Sequence, residues 1–212
     1  MRSFSFSNAT PLWAGALPIA AIHVSYLIAA SNNHVPWCNP YFDSCTSISA
    51  TGRELPEFYW FKITMVISAL IMIAYWRQVA IRQRSIGSSG NVIATTGTIA
   101  GIFLIVYVLA LGIEGDLFRL QRRIGVILYF TLTYLAQLMG VSWLWRNGYR
   151  GLPVRIMLSL CILCLVIGVS SLSAEIMTTW HDQVEDAVEW ILALILMLYF
   201  IVSYWAWKMT GA

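Results

Sequence analysis

The residues able to do chemistry fall in three short stretches. The first, residues 38–57 (CNPYFDSCTSISATGRELPE), carries Ser49, Thr51, Arg53 and Glu57 among turn formers. The second holds Arg119, Arg122 and Arg123, spaced so that they share one helix face. The third holds Asp182, Glu185, Asp186 and Glu189 at i, i+3, i+4 and i+7, an acidic stripe that runs up to Trp190. Like charges at this spacing repel by a few tenths of a kcal/mol per pair. Glu189 also sits inside an apolar run, where an unpaired carboxylate would cost roughly 2.5 kcal/mol or more. The stripe therefore calls for cations, and Arg53, the arginines at 119–123 and His181 are on offer. Two readings follow. The charges form an ion-pair network that ties helices together, or they line a headgroup-sized pocket. In the second reading the arginines hold a phosphate by charge-assisted hydrogen bonds, while Glu57 and Glu189 accept from hydroxyls or an amine.

A catalytic version would use Ser49 or Ser47 as nucleophile, with His181 as base and Glu189 as a further candidate. That chemistry suits acyl transfer on a lipid, but no G-x-S-x-G elbow is present. A zinc hydrolase needs three protein ligands and an open position. His23, His34 and His181 lie in separate segments with no HxxxH or HExxH, so no metal and no cofactor is expected. His23 reads either as a hydrogen-bonded packing residue or as a functional intramembrane histidine. Cys38 and Cys45, seven apart beside Asn39, Pro40 and Asp43, fit a disulfide in an oxidising exoplasmic space. Cys161 and Cys164 read as small packing residues. Pro56 and Glu57 have a plain alternative role in opening a helix, and Ser49, Thr51 and Gly52 have one as turn residues. Gln137, deep in an apolar run, needs partners and is expected to face another helix.

The elements that must position these groups are apolar. Of 212 residues, 59% are hydrophobic and 11% charged, with mean hydropathy +0.72, against about 25% charged for a soluble domain. A spanning helix needs roughly 20 apolar residues. Six runs qualify, at about 11–30, 58–76, 92–113, 124–145, 154–173 and 186–207. They are continuous and not alternating, which excludes a β-barrel. The chain therefore reads as all-α, one transmembrane domain over 1–212 with a long first exoplasmic loop. The first run is too long for a signal core and is expected to be retained.

Charge sets the orientation. With the N-terminus inside, the inner segments hold Arg2, Arg77, Arg82, Arg84, Arg146, Arg150, Arg155 and Lys208 and no acid, while all 10 acids fall outside. The Lys/Arg bias favours both termini in the cytoplasm. Trp13, Trp76, Trp143, Trp145, Trp205 and Trp207 then mark inner ends, and Trp37, Trp60, Trp180 and Trp190 outer ones. The inner stretch 77–90, RQVAIRQRSIGSSG, reads as a loop at anionic headgroups that ends in a flexible GSSG. Its basic residues are spread along the membrane edge, so nucleic acid is not an expected partner. No helix carries the full-length polar stripe of a channel.

SISATGRELPE ahead of a helix resembles the IS-x-TG…PE segment of the DRAM-type membrane proteins (damage-regulated autophagy modulators), relatives of the PGAP-type factors of GPI-anchor remodelling and the N-terminal half of the Cwh cell-wall protein. RRIGVILYFTLTYLAQ resembles the start of that family's fourth helix, and HDQVEDAVEWILALILMLYF its last helix. The resemblance implies six helices and points to Ser49, Thr51, Gly52, Pro56 and Glu57, then to Arg122, Gln137, His181, Glu189 and Trp190. It also implies a protein that binds, remodels, moves or senses a phospholipid or glycolipid at its exoplasmic or lumenal face. A membrane-embedded acyltransferase or lipid hydrolase and a structural or partner-binding membrane protein are the alternatives. The expected partners are membrane lipids, with a membrane-protein partner left open. The residues suit an endomembrane, a plasma membrane or a bacterial inner membrane equally.

Overall fold

The structure is a computed structural model that describes residues 6–85, 91–177 and 181–209, apart from the side chains of 6–8, 172, 174–177 and 181–183. It contains α1 (Phe6–Ser31), a 3₁₀ turn (Ala50–Gly52), α2 (Glu57–Ser85), α3 (Asn91–Ala110), α4 (Asp116–Arg146), α5 (Leu152–Met177) and α6 (His181–Met209). The six α-helices are each long and apolar enough to cross a membrane. A bilayer supplies no water to backbone groups, so each span must satisfy its own N–H and C=O groups, and helices do so.

The helices pack in cyclic order. α1 lies between α2 and α6, α3 between α2 and α4, and α5 joins α4 to α6. Burial of apolar area cannot drive this packing, because lipid tails are as apolar as leucine; close approach and interhelical hydrogen bonds must. Gly97 on α3 allows a close approach, since a Cβ there would lie 2.2 Å from the Trp76 ring of α2. Gly125 does the same for α4 against Tyr107 of α3, with 2.9 Å to its Cβ. The buried Gln137 Nε2 donates to Leu196 O of α6 at 2.8 Å, and the Tyr199 hydroxyl returns a bond to Gln137 O at 2.8 Å. Gln137 therefore faces a neighbouring helix, as its chemistry demanded.

Most of the helices are longer than their apolar runs, α2, α4 and α6 among them. α2 continues through residues 77–85, which hydropathy alone assigns to a loop. Arg, Gln, Ala and Ile are adequate helix formers, and the extension has tertiary support: the Arg82 guanidinium lies 4.0 Å over the Trp207 ring of α6. α4 likewise begins at Asp116, with an acid in its first turn where the helix dipole favours it. α6 begins at His181 and takes in the acidic stripe. A helix need not stop where the hydrocarbon does.

Candidate functional site

Residues 32–56 fold back onto one end of the bundle and are held there by several independent contacts. Cys38 and Cys45 form a disulfide. Tyr26 of α1 donates its hydroxyl proton to Cys38 O at 2.6 Å and accepts from Cys38 N–H at 2.9 Å. The Ser25 hydroxyl donates to Thr51 O. From α6, Trp190 Nε1–H donates to Thr46 O at 2.9 Å, and Ala187 N–H reaches the Ser44 hydroxyl at 3.2 Å. Trp190 is wholly buried among the rings of His23, Tyr26 and Tyr41, at centroid distances of 5.5–6.1 Å. The Ile19 carbonyl can only accept, so His23 Nδ1–H donates to it at 2.7 Å, leaving Nε2 to accept the Tyr41 hydroxyl proton at 2.8 Å. Burial pushes the Tyr41 phenol above its ordinary value, which keeps that proton in place.

The SISATG segment is the inner edge of this loop. Thr51 and Gly52 are buried, and the Thr51 hydroxyl bonds back to Ile48 O at 2.8 Å. A Cβ on Gly52 would lie 2.6 Å from the Phe61 ring, so only glycine fits beneath α2. Ser49 and Ser47 share a hydroxyl–hydroxyl bond of 3.1 Å, and Arg53 Nη2 donates to Ser49 Oγ at 2.9 Å. The His181 side chain lies outside the described residues, and of the two described histidines neither reaches these hydroxyls: His23 bonds Ile19 and Tyr41, and His34 bonds Glu57.

The charged residues separate into four settings. Glu57, directly after Pro56 at the start of α2, is fully buried, and its Oε1 lies 2.6 Å from His34 Nδ1. Its Oε2 has no partner among the described residues. Glu189 accepts from the Ile48 backbone N–H and lies within the electrostatic reach of Arg53, Glu185 and Asp186. Tyr107 of α3 completes this group, close enough to feel Glu189, Arg53 and Arg122 and to hydrogen-bond Ser49. Arg122 spends its Nη1 on the carbonyls of Ala110 (3.0 Å) and Ile113 (2.7 Å), capping the C-terminal end of α3. Among the described residues Arg119 pairs with Asp116, at 3.6 Å on the exposed start of α4. Sequence reasoning gave no role to Tyr107 or to His34 as the partner of Glu57. Tyr107 had one signal, as the lone hydroxyl in the apolar run FLIVYVLAL; nothing local links His34 to a residue 23 positions on.

Beneath Glu189 lies a cleft enclosing about 440 Å³ of empty space, its open mouth included. Pro18 and Ile22 of α1, Phe61 and Met65 of α2, Leu104 and Tyr107 of α3, Tyr129 and Phe130 of α4, and Ala193 and Met197 of α6 line it. Glu189 is its one charged lining residue among the described residues. The arrangement is an apolar slot with a carboxylate, a guanidinium, a phenol and a serine hydroxyl gathered at one end. Such a site suits an amphiphile, since small-molecule sites are mostly apolar with a few placed polar groups.

No curated protein and no solved structure matches this chain. The family model described as the Frag1/DRAM/Sfk1/Cwh43P N-terminal domain matches residues 7–210. With its six spanning helices, the protein is an integral, multi-pass membrane protein, and the chain belongs to the Frag1/DRAM/Sfk1/Cwh43P N-terminal domain family.

Proposed function

We propose that the protein binds a membrane lipid at its exoplasmic or lumenal face, with one acyl chain in the cleft and the headgroup against Arg53, Ser49, Tyr107 and Glu189. The observation that carries this reading is the apolar cleft whose lining includes Glu189 and Tyr107, with Arg53 close to both groups. An acyl chain leaving the bilayer for this slot gains little, because lipid tails are already apolar. Discrimination among lipids must then come from the headgroup. Arg53 supplies the donors for a phosphate. Glu189, with Asp186 and Glu185 behind it, supplies acceptors for an amine or a sugar hydroxyl. A zwitterionic phospholipid or a hydroxyl-rich glycolipid satisfies both signs of charge.

Mass spectrometry of lipid that co-purifies through several detergents tests this. The wild type is expected to retain one lipid class above its membrane abundance. Ala193→Trp, which fills the slot, and Arg53→Glu, which is exposed and reverses the headgroup charge, are each expected to cut retention several-fold. Retention in simple proportion to membrane composition, unchanged by either variant, would refute the reading.

A further inference from the structure

A second cavity lies at the opposite end of the bundle, where the chain gathers basic residues and no acid. It holds about 660 Å³ of empty space, its open mouth included, between the ends of α2, α4 and α6 and the start of α5. Gln83 lines it, is 1% exposed, and has no partner among the described residues for either its amide oxygen or its amide nitrogen. Beside it, Arg82 has a buried Nη1 without a partner among the described residues, while its guanidinium rests 4.0 Å from the Trp207 ring. Buried polar groups are as a rule hydrogen-bonded, and each exception calls for a reason. Here the residues that carry an unmet donor, an unmet acceptor and a cation all border one space.

The unmet valences specify the guest. Arg82 Nη1–H and Gln83 Nε2–H donate, so they call for an anionic oxygen. Gln83 Oε1 accepts, so it calls for a hydroxyl on the same molecule. Trp76, Trp143, Leu144 and Met157 give the rest of the cavity an apolar and aromatic wall. The site lies at a bundle end with indole rings, as at a membrane interface, and Arg77, Arg84, Arg146, Arg150, Arg155 and Lys208 raise the local anion concentration. The geometry points to a binding site for an anionic phospholipid whose headgroup carries a free hydroxyl, held by Arg82 and Gln83 at the basic face. The site is independent of the exoplasmic cleft and shares no residue with it.

The test uses the full chain in detergent, with thermal melts followed by tryptophan fluorescence. Dioctanoyl phosphatidylglycerol is expected to raise the melting temperature saturably. Dioctanoyl phosphatidylcholine and inorganic phosphate are expected to do so at least tenfold less potently. Arg82→Met and Gln83→Leu should each weaken the phosphatidylglycerol response at least tenfold. Equal responses to both lipids, no response, or a Gln83→Leu chain with an unaltered response each overturns the proposal; the last two would mean a water-filled packing gap. A response to inorganic phosphate equal to that for phosphatidylglycerol overturns the lipid assignment. Native mass spectrometry from mixed phosphatidylglycerol–phosphatidylcholine nanodiscs needs no variant. Preferential retention of phosphatidylglycerol supports the site, and retention in the mixing ratio refutes it.

Discussion

Glu57 carries the sharpest local consequence. Its carboxylate is fully buried and His34 is its hydrogen-bonded partner. Removing one partner of a buried charged group leaves the other unsatisfied, at a cost of about 2–3 kcal/mol. His34→Ala is therefore expected to lower the melting temperature clearly, and His34→Gln, which keeps a donor, to lower it less. Arg119→Ala serves as the control: both partners of the Arg119–Asp116 pair are largely exposed, and such pairs contribute little. A melt series in one detergent decides the ranking, and an Arg119 variant as damaging as His34→Ala would contradict it. Tyr41 gives a pH dependence. Its phenol is raised in the folded chain by burial, so its contribution is fully present below the ordinary phenol value of about 10. It is lost as pH rises through the higher folded value. Tyr41→Phe should flatten that alkaline loss while costing about 1 kcal/mol at neutral pH from the bond to His23. An unchanged alkaline limb would place the titration elsewhere.

The element that most depends on its surroundings is the first loop. The Cys38–Cys45 bridge closes a short ring, and the chain-entropy relation gives it about 2.5 kcal/mol. The bonds from Ser25, Tyr26 and Trp190 hold the same loop independently. Cys38→Ser with Cys45→Ser is thus expected to lower the melting temperature while far-ultraviolet circular dichroism keeps its helical signal. A loss of helix would mean that the loop nucleates the bundle. Gly52→Ala should be worse than its size suggests, by about 1–3 kcal/mol, because the added methyl meets a ring packed beneath α2. The TG pair was legible as a turn. That its glycine is needed for close approach to Phe61 was not, since Phe61 belongs to the next helix. The basic stretch 77–85 shows the converse: hydropathy marks where lipid ends, and the helix continues because Arg82 finds Trp207.

For the whole molecule, the distribution of Lys and Arg predicts both termini on the cytoplasmic side. Leu117 in the first turn of α4 and Leu152 at the start of α5 are exposed and lie at opposite ends of the bundle. A membrane-impermeant maleimide is expected to label Leu117→Cys in intact cells and Leu152→Cys only after permeabilisation. The reverse pattern would invert the orientation and move the cleft at Glu189 to the other face.

The amino-acid sequence by itself determined the six spans, the all-α class, the disulfide pair and the family, because hydropathy, length and short motifs are read from neighbours along the chain. It also placed Ser49, Arg53 and Glu189 among the residues to watch. Only the tertiary structure decided which groups meet. It paired Glu57 with His34, turned Arg122 onto the carbonyls of Ala110 and Ile113, left Arg119 on the surface, and brought Tyr107 beside Ser49 and Glu189. The physical reason is range. A span is specified by about 20 consecutive residues, whereas a partner is chosen by the rotation and depth of helices far apart in sequence. Those are set by small-residue contacts such as Gly97 on Trp76 and Gly125 on Tyr107.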